Sequence, residues 1–394
     1  MTFEQIQKQL DSNVMPTYAR FPAAIVSGKN ATAKDADGKE YIDFTSGIGV
    51  NCLGYADGEW AAAVAKQAST IQHISNLYYS PVQAELAEKL CKASGMGKVF
   101  FCNSGAEANE CCIKLARKYG EDVLGLKQTE IVTLKNSFHG RTVTTLAATG
   151  QELFHELFLP LTEGFRYADT TMDGVKSCVT ERTCAVLVEL IQGEGGVVPM
   201  DAQFVKELRE FCTEHKILMM VDEVQTGVGR TGAFYCYQNY GVQPDVISSA
   251  KALAGGLPMG ACLCREELGG VLGSGMHGST FGGNPVACAG ALVVLKRVAD
   301  PAFLESVKEK GRYFTQKLSG MDGISEVRGM GLMIGAKPEK GVPGAIAQKC
   351  VENGLLVLTA KDVLRFLPPL TITREETDRG LAIFEKVLKA EAAV

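Results

Sequence analysis

A chain of 394 residues, 46% hydrophobic and 22% charged with 43 glycines, has the size for about two or three domains and an interior able to enclose a cofactor. Forty basic against 45 acidic residues, a net charge of −5, leave no basic footprint for nucleic acid or an anionic membrane surface. No apolar run reaches the roughly 18 residues of a membrane span, and the polar-studded start has no signal-peptide core, so a cytoplasmic protein is expected.

The first 50 residues predict a short helix and then a small antiparallel unit, its strands separated by turn clusters such as Asp37-Gly38. Helical periodicity follows at 59–72 and 81–93, then apolar runs at 98–102, 131–135, 184–190, 217–221 and 245–249 with helical or loop segments between them. That alternation predicts an α/β unit with a mostly parallel sheet, whose chemistry belongs at the carboxyl ends of the strands. Beyond "STFGGNP" the chain reads as helical to about 319, then as short strands near 325–335 and 355–367 and a last helix opened by Thr373 and Glu376 at capping-box spacing. The expected domains are 51–290 as the large unit, 291–394 as a small C-terminal unit, and 1–50 packing with the latter. The 13 cysteines fall mostly inside apolar runs such as "ECCIKL" and read as reduced core residues. With no Cys-x-x-Cys pair and five scattered histidines, no metal site is expected.

Four stretches carry candidate chemistry. In "DVISSAKALAGG" an apolar run delivers Lys251 into a glycine pair; a lysine in apolar surroundings loses hydration, its pKa falls, and the neutral amine can form a Schiff base. In "VFFCNSGAEANE" a strand stops, Ser104 can cap a helix, and Gly105 and Ala106 present free N–H groups at its positive end, a seat for phosphate. In "ILMMVDEVQTGVGRTG" Asp222, followed by Glu223, stands at the mouth of a buried strand and needs a positive partner. A protonated pyridine nitrogen and Arg230 are the two candidates, and strand alternation would put Val224 on the face of Asp222. In "KNSFHGRT" Phe138 can cover a flat ring and Arg141 can hold a carboxylate. "GSGMHG" at 273–278 fits a dinucleotide-loop spacing, but neither a strand precedes it nor a helix follows.

Together with "DFTSGIGVNCLGY", "IQGEGG", "STFGGNP" and "RGMGLMIG", these segments resemble the class III (ornithine-type) aminotransferases, which depend on pyridoxal 5′-phosphate. The resemblance implies the type I fold of such enzymes: a large domain with a mostly parallel mixed sheet flanked by helices, and a smaller α+β domain built from both termini. It implies that Lys251 binds the cofactor as a Schiff base and later shuttles a proton, and that Asp222 keeps the pyridine nitrogen protonated. Val224 and Phe138 would pack on the two ring faces, with Glu223 and Gln225 beside the cofactor and Gly105 and Ala106 on its phosphate. Thr280 would reach that phosphate from the other subunit of a homodimer. Arg141 and Ser279 would bind substrate, and Glu194 and Arg365 would form a pair that opens to free the arginine for a carboxylate. Within the family the likeness is to members moving the δ-amino group of N2-acetyl-L-ornithine to 2-oxoglutarate in arginine biosynthesis. Succinylated donors, 4-aminobutyrate, or non-transaminase chemistry on the same scaffold are the alternatives. Ile48 stands where ornithine-specific members carry a tyrosine, which favours an acylated donor. The His-x-His-Pro run often found near "GYADGEW" is missing here.

Overall fold

The computed structural model describes residues 1–392; residues 393 and 394, at the end of the expected C-terminal domain, lie outside the described residues. Seven strands form the central sheet: β1 (Lys98–Cys102), β2 (Glu130–Leu134), β3 (Phe165–Ala168), β4 (Thr183–Val188), β5 (Leu218–Asp222), β6 (Val246–Ser249) and β7 (Gly260–Cys264). They lie in the order β1-β7-β6-β5-β4-β2-β3, and only β7 runs antiparallel to its neighbours. The five apolar runs read from sequence become β1, β2, β4, β5 and β6. Strands β2, β4, β5 and β6 are buried along their whole length, which explains why their sequences are continuously apolar or small rather than alternating. Strands β3 and β7 were not expected from the pattern.

The helix Gly105–Asp122 follows β1 and lays Cys111, Cys112, Ile113, Leu115 and Ala116 against the sheet. The helix Ala202–Glu214, capped by Asp201 on the N–H groups of Gln203 and Phe204, buries the stripe Phe204, Val205, Leu208 and Cys212.

Outside the central sheet, Ile25–Lys29, Thr32–Asp35 and Glu40–Asp43 form the expected antiparallel unit, extended by Leu355–Leu356 lying parallel to Glu40–Asp43. A second small sheet joins Ile324–Met330, Met333–Pro338, Val363–Phe366 and Leu358–Ala360, and so sets Arg365 on a strand. In the last helix, Arg374–Ala392, the Glu376 N–H donates to Thr373 Oγ1 at 3.1 Å and Glu376 Oε2 accepts the Thr373 N–H at 2.9 Å, the reciprocal cap read from sequence. Among the described residues no helix is long and apolar enough to cross a membrane. All 13 cysteines are free, and only Cys91 and Cys178 are more than slightly exposed.

Candidate active site

The carboxyl ends of β1, β2, β4, β5 and β6 converge on one cavity of about 430 Å³. Each strand stops where its apolar run gives way to polar residues or glycine, so the side chains that follow point out of the sheet edge together. Lys251, Asp222, Val224, Gln225, Gly105, Ala106, Phe138 and Arg141, all nominated from sequence, line it.

Lys251 begins a short turn, Lys251–Ala254, with its backbone at φ +43°, a region non-glycine residues seldom occupy. Gly255 and Gly256 follow at φ +63° and +129°. A Cβ at Gly255 would stand 2.8 Å from the Trp60 ring, so the pair lets the turn fold tightly against that indole. Among the described residues the Lys251 amine has no ion-pair or hydrogen-bond partner. Burial pushes its pKa below the ordinary lysine value, the nearby Arg365 charge adds to that, and Asp222 pulls against it.

Asp222 is 4% exposed, and the sequence reading asked for a cation. Three groups of the protein meet it. His139 Nδ1 lies 2.8 Å from Oδ2, Asn109 Nδ2 donates to Oδ2 at 2.7 Å, and the Val224 N–H donates to Oδ1 at 3.0 Å. Burial alone would raise this carboxyl, yet these bonds and the imidazole hold it below its usual value, so it stays ionised inside the protein. Arg230, the alternative partner, does not meet it. Its guanidinium donates to the carbonyls of Leu332 and Pro368 at 3.0 and 2.6 Å. Strand β5 ends at Asp222 itself, so Val224 reaches the cavity from a turn rather than by strand alternation.

Ser104 caps the helix Gly105–Asp122 by accepting the Glu107 N–H at 3.2 Å. The Glu107 carboxylate reaches one residue further back than a simple capping box and takes the Asn103 N–H at 2.6 Å. The N–H groups of Gly105 and Ala106 are left open at the cavity wall, the donors an anion would take. Val224 presses on this cradle: a Cβ on Gly105 would stand 2.7 Å from it.

Glu194 and Arg365 meet. Arg365, 3% exposed, donates from Nη1 to Glu194 Oε1 at 2.6 Å and to Gln225 Oε1 at 3.2 Å. The pair therefore adjoins the cavity through Gln225. Arg141 lies at the rim with its guanidinium 4.2 Å from the Phe154 ring centre and 5.5 Å from that of Phe138.

Three nominated residues are elsewhere on this chain. Ser279 and Thr280 do not line the cavity; Ser279 Oγ accepts from Asn103 Nδ2 at 3.1 Å, beside its wall, and Thr280 is exposed. Glu223 faces away from the cavity, where Thr226 Oγ1 donates to it at 2.5 Å and the Tyr237 N–H at 2.9 Å. Burial raises the Glu223 carboxyl from 4.5 to about 7 against those two bonds. Its folded form thus binds a proton more tightly than the unfolded chain, and its contribution to stability falls as pH rises from about 4.5 to about 7. Thermal unfolding of Glu223→Gln alongside the parent should show the parent losing ground steadily across that window, and a difference independent of pH would contradict the assignment.

Three site residues escaped the sequence reading: His139, Asn109 and Glu189, all buried and all lining the cavity. His139 sits beside Phe138 in a stretch already singled out. Asn109 is a polar residue on the apolar face of its helix, a signal that was available.

The whole chain is similar to proteins of one kind. Residues 14–388 match the family model described as aminotransferase class-III. The chain is 45% identical to an acetylornithine aminotransferase of Haemophilus ducreyi over 392 residues, covering 98% of this chain and 99% of that protein. It is 47% identical to an acetylornithine aminotransferase of Aquifex aeolicus, covering 95% and 99%. Among solved structures, the ornithine aminotransferase of Toxoplasma gondii ME49 matches with a TM-score of 0.95 at 31% identity, covering 100% of this chain and 96% of that one. The N-acetylornithine aminotransferase of Stenotrophomonas maltophilia K279a matches at 0.85 and 36%, covering 98% and 99%.

Proposed function

Since the chain belongs to the class III aminotransferases, we propose that it moves the δ-amino group of N2-acetyl-L-ornithine to 2-oxoglutarate, giving N-acetylglutamate 5-semialdehyde and glutamate, as in arginine biosynthesis. The observation that carries the chemistry is the convergence on one cavity of an unpartnered lysine amine, an ionised buried aspartate and an open helix N-terminus. The preference for an acylated donor rests on the identity to acetylornithine aminotransferases and on an isoleucine at 48.

These residues fit pyridoxal 5′-phosphate. The Gly105 and Ala106 N–H groups suit the phosphate, the cavity that Val224 and Phe138 both line suits a flat ring, and Asp222 suits a protonated pyridine nitrogen. When bound there, the cofactor supplies a carbonyl carbon that accepts amino groups and a ring that withdraws electrons from the substrate carbon. The protein does the rest. Asp222, held ionised by His139, Asn109 and the Val224 N–H, would keep the proton on the ring nitrogen. Lys251 would hold the cofactor between turnovers; once displaced, its Nζ would move the proton from the substrate carbon to the cofactor carbon. Gln225 would lie by the phenolic oxygen.

Arg141 would take the carboxylate of the acylated donor while Glu194 neutralises Arg365. For the acceptor, Glu194 would swing aside and the freed Arg365 would bind the α-carboxylate of 2-oxoglutarate. One site then serves both substrates in turn.

A second copy of the chain completes the site in this reading. Leu77, Tyr78, Tyr79 and Phe281 are exposed apolar residues, and Asn76 ties their two segments together by donating to the carbonyls of Ser279 and Gly282 at 3.0 and 2.9 Å. A partner seated on that patch would receive Ser279 beside its substrate and Thr280 at its cofactor phosphate. We take residues 51–290 as the cofactor-binding unit and 291–394 with 1–50 as the unit that brings Arg365. Thirteen free cysteines suit a reducing cytoplasm.

Steady-state rates with 2-oxoglutarate test the donor. The expected kcat/KM for N2-acetyl-L-ornithine exceeds those for ornithine and 4-aminobutyrate by about tenfold or more. A preference for 4-aminobutyrate or free ornithine would overturn the donor assignment.

A further inference from the structure

Glu189 follows β4 directly, is 5% exposed and borders the cavity, yet none of the roles above uses it. Its two oxygens serve two different loops. Oε2 accepts the Phe138 N–H at 2.9 Å, and Oε1 accepts the Gly193 N–H at 3.3 Å. The first loop holds Phe138 at the cavity and His139 against Asp222; the second carries Glu194, paired with Arg365.

The second loop has little freedom of its own. A Cβ on Gly193 would stand 2.5 Å from the Gln225 amide, so that turn rests directly on Gln225, which in turn accepts from Arg365 at 3.2 Å. Gln225 is thus shared between the turn and the arginine, so a rearrangement of the Glu194–Arg365 pair acts on the turn that bears Glu194. The Gly193 N–H must then either part from Glu189, stranding a buried carboxylate oxygen, or draw Glu189 and the Phe138 N–H with it. The cost of stranding that oxygen favours the second course, in which the Phe138 loop moves with the turn.

We propose that Glu189 is a positioning residue that couples the Glu194–Arg365 pair to the Phe138 loop, so that freeing the arginine for the second substrate and reseating the aromatic cover happen together. This rests on the reading of Glu194 and Arg365 as the pair that alternates between substrates.

A double-mutant cycle on the holoenzyme tests it, with Glu189→Gln, Glu194→Ala and both together. The readout is the ratio of kcat/KM for N2-acetyl-L-ornithine to kcat/KM for 2-oxoglutarate. The amide of Glu189→Gln keeps one acceptor and turns an NH2 group toward the other N–H, breaking the span with little change of volume. If Glu189 acts through the Glu194 turn, Glu189→Gln alters the ratio much less in the Glu194→Ala background than in the parent, a coupling of about three- to tenfold. Effects that multiply independently, while Glu194→Ala alone does change the ratio, overturn the link and leave the pair standing. A Glu194→Ala ratio equal to that of the parent overturns the pair, and the link with it. Should Glu189→Gln not fold, Glu189→Asp, which keeps the charge but is too short to span both loops, goes through the same cycle with the same outcomes.

Discussion

Lys251→Ala should lower the rate of transamination by about 1,000-fold or more and leave the protein folded. The lysine amine has no bonding partner among the described residues, so removing it strands no other group. Burial opposes its charge, and that penalty disappears with the side chain, which should keep the melting temperature at or above that of the parent. Alanine inherits the backbone at φ +43°, so the strain of the turn is carried over unchanged. The variant should still bind pyridoxal 5′-phosphate through the open N–H groups at Gly105 and Ala106, but without the visible absorbance of a lysine-bound cofactor. A variant that keeps both that absorbance and its rate would remove Lys251 from the mechanism.

Asp222 should separate charge from packing. In Asp222→Ala, His139 and Asn109 lose a shared partner inside the protein, so stability should fall by about 1–3 kcal/mol in addition to a loss of about 100- to 1,000-fold in kcat. Asp222→Asn can keep its oxygen toward His139 and Asn109, at the cost of the Val224 N–H bond alone, but cannot hold a proton on a pyridine nitrogen. Its kcat should fall almost as far, with a much smaller change in melting temperature. Equal stability losses in both variants with kcat preserved in Asp222→Asn would mean that the residue serves packing alone. The two measurements together, kcat and thermal unfolding, distinguish these cases.

What could be read from the sequence follows from how local each signal is. Strands β2, β4, β5 and β6 are buried throughout and announce themselves as apolar runs. Strand β3, "FRYA", lies at the sheet edge and is half-buried for most of its length, so its composition is mixed. Strand β7, "GACLC", emerges from a glycine- and proline-rich stretch and is too short for a period to register. Lys251, Asp222 and Gly105 could be picked out because an apolar run that breaks into a charge or a glycine is visible within a dozen residues. The partner of Asp222 could not: His139 is 83 positions away, and only the folded sheet brings the ends of β2 and β5, which flank β4, to the same edge. Arg230 was the nearer cation along the chain, but its loop turns it toward the carbonyls of Leu332 and Pro368. Glu194 and Arg365, 171 positions apart, were nominated by family likeness, and no pattern in the chain joins them. Glu189 stands two residues before "IQGEGG", where a carboxylate after a strand looks like any strand terminus. Its significance lies in the two loops it joins, which are remote from each other in sequence.

The central claim is that this cavity takes the amino group of an acylated ornithine onto pyridoxal 5′-phosphate and holds it for a second substrate. Its most direct test is the visible absorbance of the holoenzyme on adding N2-acetyl-L-ornithine with no acceptor present. The account predicts that the band of the lysine-bound cofactor disappears in proportion to the donor consumed and returns when 2-oxoglutarate is added. A band unchanged by the donor, or one lost and not restored by 2-oxoglutarate, would contradict it.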